Sequence, residues 1–155
     1  MPIPKAASPP PLEAHLGFWQ RFVCNQVSQR FRQQLEAQGV TVAEWVALRT
    51  LLAQGEGSHT RLIDALGMTK GAASKVISRL EEKGLARRQW AEGRSRGQVL
   101  VLTAQGRALV PTLARLADDN DEHFFGHLSA AERRALTSAM QALVRHHQFL
   151  QIPTE

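Results

Sequence analysis

Thr69-Lys70-Gly71-Ala72-Ala73-Ser74-Lys75-Val76-Ile77-Ser78-Arg79-Leu80-Glu81-Glu82-Lys83-Gly84 is the stretch on which the fold turns. Ala73, Val76, Ile77 and Leu80 recur at helical spacing and form one apolar face, leaving Thr69, Lys70, Ser74, Lys75, Ser78 and Arg79 to look outward. Thr69 is placed to cap the first turn, and Gly84 suits a left-handed C-terminal cap. Immediately upstream, Leu62, Ile63 and Leu66 give the inward face of a short helix that starts at Ser58 and stops at Gly67. The pattern is helix, tight turn, helix. In such a unit the second helix fits the major groove of duplex DNA, whose base edges present a distinct pattern of donors and acceptors for each pair. The short side chains of Gly71, Ala72 and Ala73 let the backbone approach closely, Lys and Arg donate to guanine or phosphate, and Ser and Thr serve either.

Downstream, Ala86 to Ala91 and Val99-Leu100-Val101-Leu102 read as two strands joined by the polar turn Glu92-Gly93-Arg94-Ser95-Arg96-Gly97. This hairpin, or wing, carries Arg94 and Arg96 at its tip, where a narrow minor groove concentrates negative potential. Arginine suits that place because its guanidinium is less strongly hydrated than an ammonium. The competing reading for each is an ion pair with an acid of its own domain.

Longer helices flank this unit. Leu12, Leu16, Trp19, Val23, Val27, Phe31 and Leu35, with Phe18 and Phe22 beside them, predict one amphipathic helix ending at Gly39. Thr41 and Glu44 form a capping box for a second helix that runs to about Gln54, where Gly55-Glu56-Gly57 breaks it. After the wing, Thr103 caps a helix bearing Leu109, Leu113, Leu116 and Phe124, bent at Pro111 unless the first turn absorbs the missing amide. Ser129 and Glu132 open a last helix with Leu136, Met140, Leu143, Val144 and Leu150. The expected fold is therefore mainly α with a small β-hairpin wing. Residues 1–11 form a proline-rich, flexible tail and 12–150 a single unit, with 41–102 as the winged helix-turn-helix portion and 12–38 and 103–150 as dimerisation helices. The apolar faces of those outer helices exceed what one small winged domain can cover, so a second copy is expected. Two recognition helices related by a two-fold axis would read a pseudo-palindrome with half-sites about 10 base pairs apart.

Charge agrees with this reading. The 155-residue chain has a net charge of +5. Between Ser58 and Gln98 there are nine bases against four acids, whereas the remainder holds ten of each. A surplus confined to one segment is the footprint of phosphate binding, although a charge run can also be a solvated face. Hydrophobic residues make up 43% of the chain without a run long enough to span a bilayer, so a soluble, cytoplasmic protein with no membrane partner is expected. Cys24 is the single cysteine, which excludes an internal disulfide and a paired-cysteine zinc site.

The string Leu62 to Thr69, then Ser74 to Leu85 with Arg88, then Val101-Leu102-Thr103-Ala104-Gln105-Gly106-Arg107 resembles the MarR (multiple antibiotic resistance regulator) family. The likeness runs from Leu12 to Gln148. It implies a homodimer built by the first helix and the last two, and a repressor that blocks a promoter and is often released by a small ligand. Members usually carry Asp-x-Arg in the wing. Here Arg96 falls on the arginine and inherits the minor-groove role, whereas Arg94 stands where the aspartate is expected, with Glu92 a possible substitute.

Other residues offer competing readings. Trp45 and Arg49 lie one turn apart near where the family's ligand crevice opens, and an aromatic ring plus a cation suits a small aromatic or phenolic acid. Against this stands a core tryptophan beside a surface arginine. Cys24 is read as a small buried hydrophobe, with a redox role as the alternative. His123 and His127, beside Asp118, Asp119, Asp121 and Glu122, have metal-ligand spacing, but Gly126 and a nearby helix end argue for a solvated acidic face and no metal. His146 and His147 are expected to face solvent. No nucleophile elbow, dinucleotide or phosphate-loop glycine motif, or zinc-protease signature is present, so neither a cofactor nor an enzyme is expected. The alternative from another class is an interaction module that keeps the winged fold without reading DNA.

Overall fold

In the computed structural model, residues 8–90 and 97–155 are described. A 3-10 turn, Leu12–Ala14, is followed by α1 (Leu16–Ala37), α2 (Val42–Gln54), β1 (Glu56–Ser58), α3 (His59–Leu66) and α4 (Lys70–Glu82). Then come β2 (Ala86–Trp90), β3 (Gln98–Leu102), α5 (Ala104–Phe125) and α6 (Ala130–His147). The mainly helical architecture with a winged helix-turn-helix at its centre is as the sequence predicts.

Three details differ. The sheet has three antiparallel strands in the order β1-β3-β2, because Glu56, Gly57 and Ser58 pair with Val101, Leu100 and Val99. The first helix is interrupted: His15 is extended, so the turn at Leu12–Ala14 is separate from α1. Leu150 lies beyond α6, which ends where Gln148 adopts a left-handed conformation.

The caps explain why the helices start where they do. Thr41 and Glu44 close a reciprocal capping box on α2, as Ser129 and Glu132 do on α6. Thr69 Oγ1 accepts from Ala72 N at 3.2 Å, and Thr103 Oγ1 accepts from Gly106 N at 3.0 Å. Each satisfies an amide that the first helical turn leaves unpaired. Pro111 sits in the interior of α5, past its first turn, so the Arg107 carbonyl has no amide at position 111 to accept.

One core joins the helix-turn-helix to the long helices. Leu35, Leu48, Leu51, Leu62, Leu66, Ile77, Leu80 and Leu113 are fully buried together. α5 is brought close at its start, where a Cβ on Gly106 would fall onto the Leu85 carbonyl. The Thr103 hydroxyl also donates to Gly84 O at 2.6 Å, fixing the helix beneath the α4 terminus. α1 docks on α5 through a polar cluster. Arg30 donates to Asn120 Oδ1 at 3.1 Å and to Asp119 Oδ2 at 3.0 Å, and buried Asn120 donates to Val27 O at 3.2 Å.

The apolar stripe of the first helix divides. Val27, Phe31 and Leu35 turn into the subunit, but Leu12, Leu16, Trp19, Phe22 and Val23 stay exposed. No residue of α6 is buried, and Leu136, Met140, Leu143 and Val144 all face outward. Among the described residues no helix is long and apolar enough to cross a membrane.

Candidate nucleic-acid interface

Gly67, with φ of 62°, turns the chain sharply between α3 and α4. Burial of Ala73, Val76, Ile77 and Leu80 against the core then fixes the rotation of α4 about its axis. That rotation leaves Lys70, Gly71, Lys75, Ser78 and Arg79 exposed and Ser74 half-buried, all on the side away from the core. Ser74, Lys75, Ser78, Arg79 and Glu82 line one shallow recess. The structure thus brings together Ser74, Lys75, Ser78 and Arg79 of the helix residues singled out from sequence, with Glu82 as an acid among them, while Lys70 and Gly71 are exposed in the first turn and do not line that recess. Thr69 is also exposed, but its side-chain oxygen already accepts from the helix as a cap. Arg94 and Arg96 fall within 91–96 and lie outside the described residues.

Not every cation of the basic segment belongs to this face. Lys83 turns back and donates to Gly39 O and to Glu44 Oε2, each at 2.7 Å. Arg88 pairs with Glu81 at 2.8 Å and ties β2 to the last turn of α4. A count of charges along the chain includes both, because it carries no information about direction. Arg87, on the opposite face of the sheet from Arg88, lines a cleft of about 600 Å³ with Gln54, Glu56, Val101 and Arg107.

Trp45 and Arg49 do meet, as their spacing suggests. The guanidinium lies 5.5 Å from the indole centroid, and Phe31 meets the same indole edge-on at 6.4 Å. Trp45 is half-buried against the core and Arg49 is exposed. Cys24 is exposed in the subunit, with Sγ 3.8 Å from Ser28 Oγ, and so departs from the buried hydrophobe expected. Asp118, Asp119, Asp121 and Glu122 are all exposed, as expected of a solvated face, and two of them are also engaged. Asp119 holds Arg30 and Gln34, and Glu122 pairs with Arg133 at 3.0 Å. The hydrogen bond from Arg30, then that from Gln34, holds the Asp119 carboxyl below its ordinary value. Hydrogen bonds from Ser129 do the same for Glu132. His127 lies past the end of α5, and His123 packs edge-on against Phe124. Exposed His147 stacks on Phe149.

Comparison with known proteins agrees with this geometry. The model of the MarR family matches residues 38–97. The transcriptional regulator HosA of Escherichia coli O157:H7 is 26% identical over 125 residues, spanning 77% of this chain and 93% of HosA. Among solved structures, Bordetella bronchiseptica BpsR, whose DNA binding is regulated by 6-hydroxynicotinic acid, is similar with a TM-score of 0.73 and 26% identity, covering 88% of this chain and 98% of that one. A cysteine-to-serine mutant of Escherichia coli MarR complexed with operator DNA has a TM-score of 0.72 and 22% identity over 83% of this chain and 93% of its own, a likeness of fold.

Proposed function

We infer that the chain is a member of the MarR family of winged helix-turn-helix transcription regulators, whose model matches residues 38–97 and whose members include similar proteins, and from that premise propose how it works. It is a DNA-binding regulator that acts as a repressor on a pseudo-palindromic operator, with α4 in the major groove and the wing in the adjacent minor groove. Thr69, Lys70, Gly71, Ser74, Lys75, Ser78 and Arg79 meet the duplex from α4, and Arg94 and Arg96 from the wing. The observation that carries this is the division of α4: one side is wholly buried in the core, and the other holds the exposed Lys70, Lys75 and Arg79.

The working unit is a homodimer. Residues 12–38 and 103–150 supply its contacts, because the outer half of the α1 stripe and the α6 face are apolar yet uncovered in one subunit. Trp45 and Arg49 form the effector site for a small aromatic or phenolic acid. Such a ligand would take the guanidinium off the indole and pair its carboxylate with it. The interaction-module reading lacks this support, since the relatives are transcriptional regulators.

Titration of the protein with duplex DNA at several salt concentrations tests the proposal. Phosphate contacts make log affinity fall linearly with log salt concentration, by roughly 0.9 per phosphate neutralised. Absence of duplex binding at low salt would reject the reading, and footprinting across the genome of the source organism would identify the operator.

A further inference from the structure

Trp90 is 73% exposed and is the last described residue before 91–96, which lie outside the described residues. Side chains alternate along a strand. Arg87 therefore lines the cleft with Glu56 and Val101 on one face of the sheet, and Arg88 reaches α4 from the other. Trp90 shares the face of Arg88, two residues nearer the tip and opposite Gln98. Ile77, Arg88, Gln98, Val99 and Leu100 enclose one small recess, so the outer part of the hairpin lies alongside the turn of α4 that carries Ser74, Lys75 and Ser78. Trp90 stands at the seam between helix and wing.

We propose that Trp90 is a further duplex contact: its indole packs on the sugar edge of the strand running between the two grooves and donates Nε1–H to a phosphate. This deepens, and rests on, the DNA-reading function above. Among the described residues the ring has neither an aromatic nor a cationic partner. The side of α4 next to this face of the hairpin carries the exposed Lys75 and Arg79 with Glu82 beside them, and Arg94 and Arg96 follow Trp90 within six residues in sequence. A partner that is anionic and also offers an apolar edge suits an exposed indole beside these cations. The sugar-phosphate backbone offers both. A second copy of this face brings the same positive charge and is repelled.

The test uses the full-length protein and a duplex recovered by selecting random duplexes on the wild type. Trp90→Ala is expected to weaken binding about tenfold, within the range of aromatic contacts to nucleic acid. It should leave the slope of log affinity against log salt unchanged, because no cation is removed. Duplex should alter the tryptophan emission of the wild type, and that change should be missing from Trp90→Phe. Equal affinity of Trp90→Ala and wild type, or identical emission changes in wild type and Trp90→Phe, overturns the contact while leaving the DNA-reading function intact. Recovery of no duplex by the wild type overturns both.

Discussion

Lys83 Nζ lies 2.7 Å from Glu44 Oε2, so the cation that ends the reading helix points back into its own subunit. The Glu44 side chain is only 1% exposed, and the same Oε2 also accepts from Thr41 N at 3.0 Å. One carboxylate thus closes the α2 capping box and anchors the α4 terminus 39 residues away. Lys83→Met strands a buried carboxylate and is expected to lower unfolding stability by about 2 kcal/mol. The salt slope of duplex binding should not change, since Lys83 meets no phosphate. Chemical denaturation and a salt titration of the same variant check the two halves.

Lys75 and Arg79 should behave oppositely. Each is exposed on α4, so alanine leaves the fold and oligomeric state unchanged and weakens duplex binding. Lys75→Ala should reduce the salt slope by about 1, the signature of a lost phosphate contact. Arg79→Ala should lower affinity by about 1 to 3 kcal/mol and relax specificity at one base pair. Arg96→Ala should weaken binding similarly, measured by gel shift against the selected duplex.

These contrasts show what the sequence made legible. Thr41 with Glu44, and Ser129 with Glu132, were readable because a capping box is a local rule spanning three residues. The outward face of α4 was readable because Ala73, Val76, Ile77 and Leu80 fix the helix rotation without reference to the rest of the chain. Strand β1 was not. Glu56-Gly57-Ser58 has neither alternation nor β-branched residues, and it is a strand only because β3 lies beside it. The roles of Lys83, Arg88 and Arg30 depended likewise on partners that folding brings near.

Asp119 gives a pH signature. Arg30 and Gln34 hold its carboxyl below the ordinary 3.8, so the folded state binds this proton less readily than the unfolded chain. The stabilisation is fully present above the ordinary value and disappears as pH falls through the lowered one. The thermal midpoint of Asp119→Asn should therefore lie below that of the wild type at neutral pH, and the gap should close in strong acid. A gap independent of pH would remove this account of the α1–α5 contact.

Gly106→Ala places a methyl group on the Leu85 carbonyl, and both are backbone-held. The expected loss is about 1 to 3 kcal/mol, from overpacking at a buried joint. It should appear as a lower denaturant midpoint with an unchanged slope.

Leu143→Glu places a charge on the exposed apolar face of α6. Light scattering should then report a monomer. Duplex affinity should fall about a hundredfold or more, because two linked half-site contacts become one.

The seating of Thr103 and Gly106 on Gly84 and Leu85 has a mechanical result. It clamps the foot of α5, a rod of 22 residues and about 33 Å, to the base of the reading helix. A small tilt of that rod at its distant end becomes a sideways swing of the head it carries. In the proposed dimer, the spacing between two heads on one double helix would thereby be governed where the rods are gripped, far from any base pair.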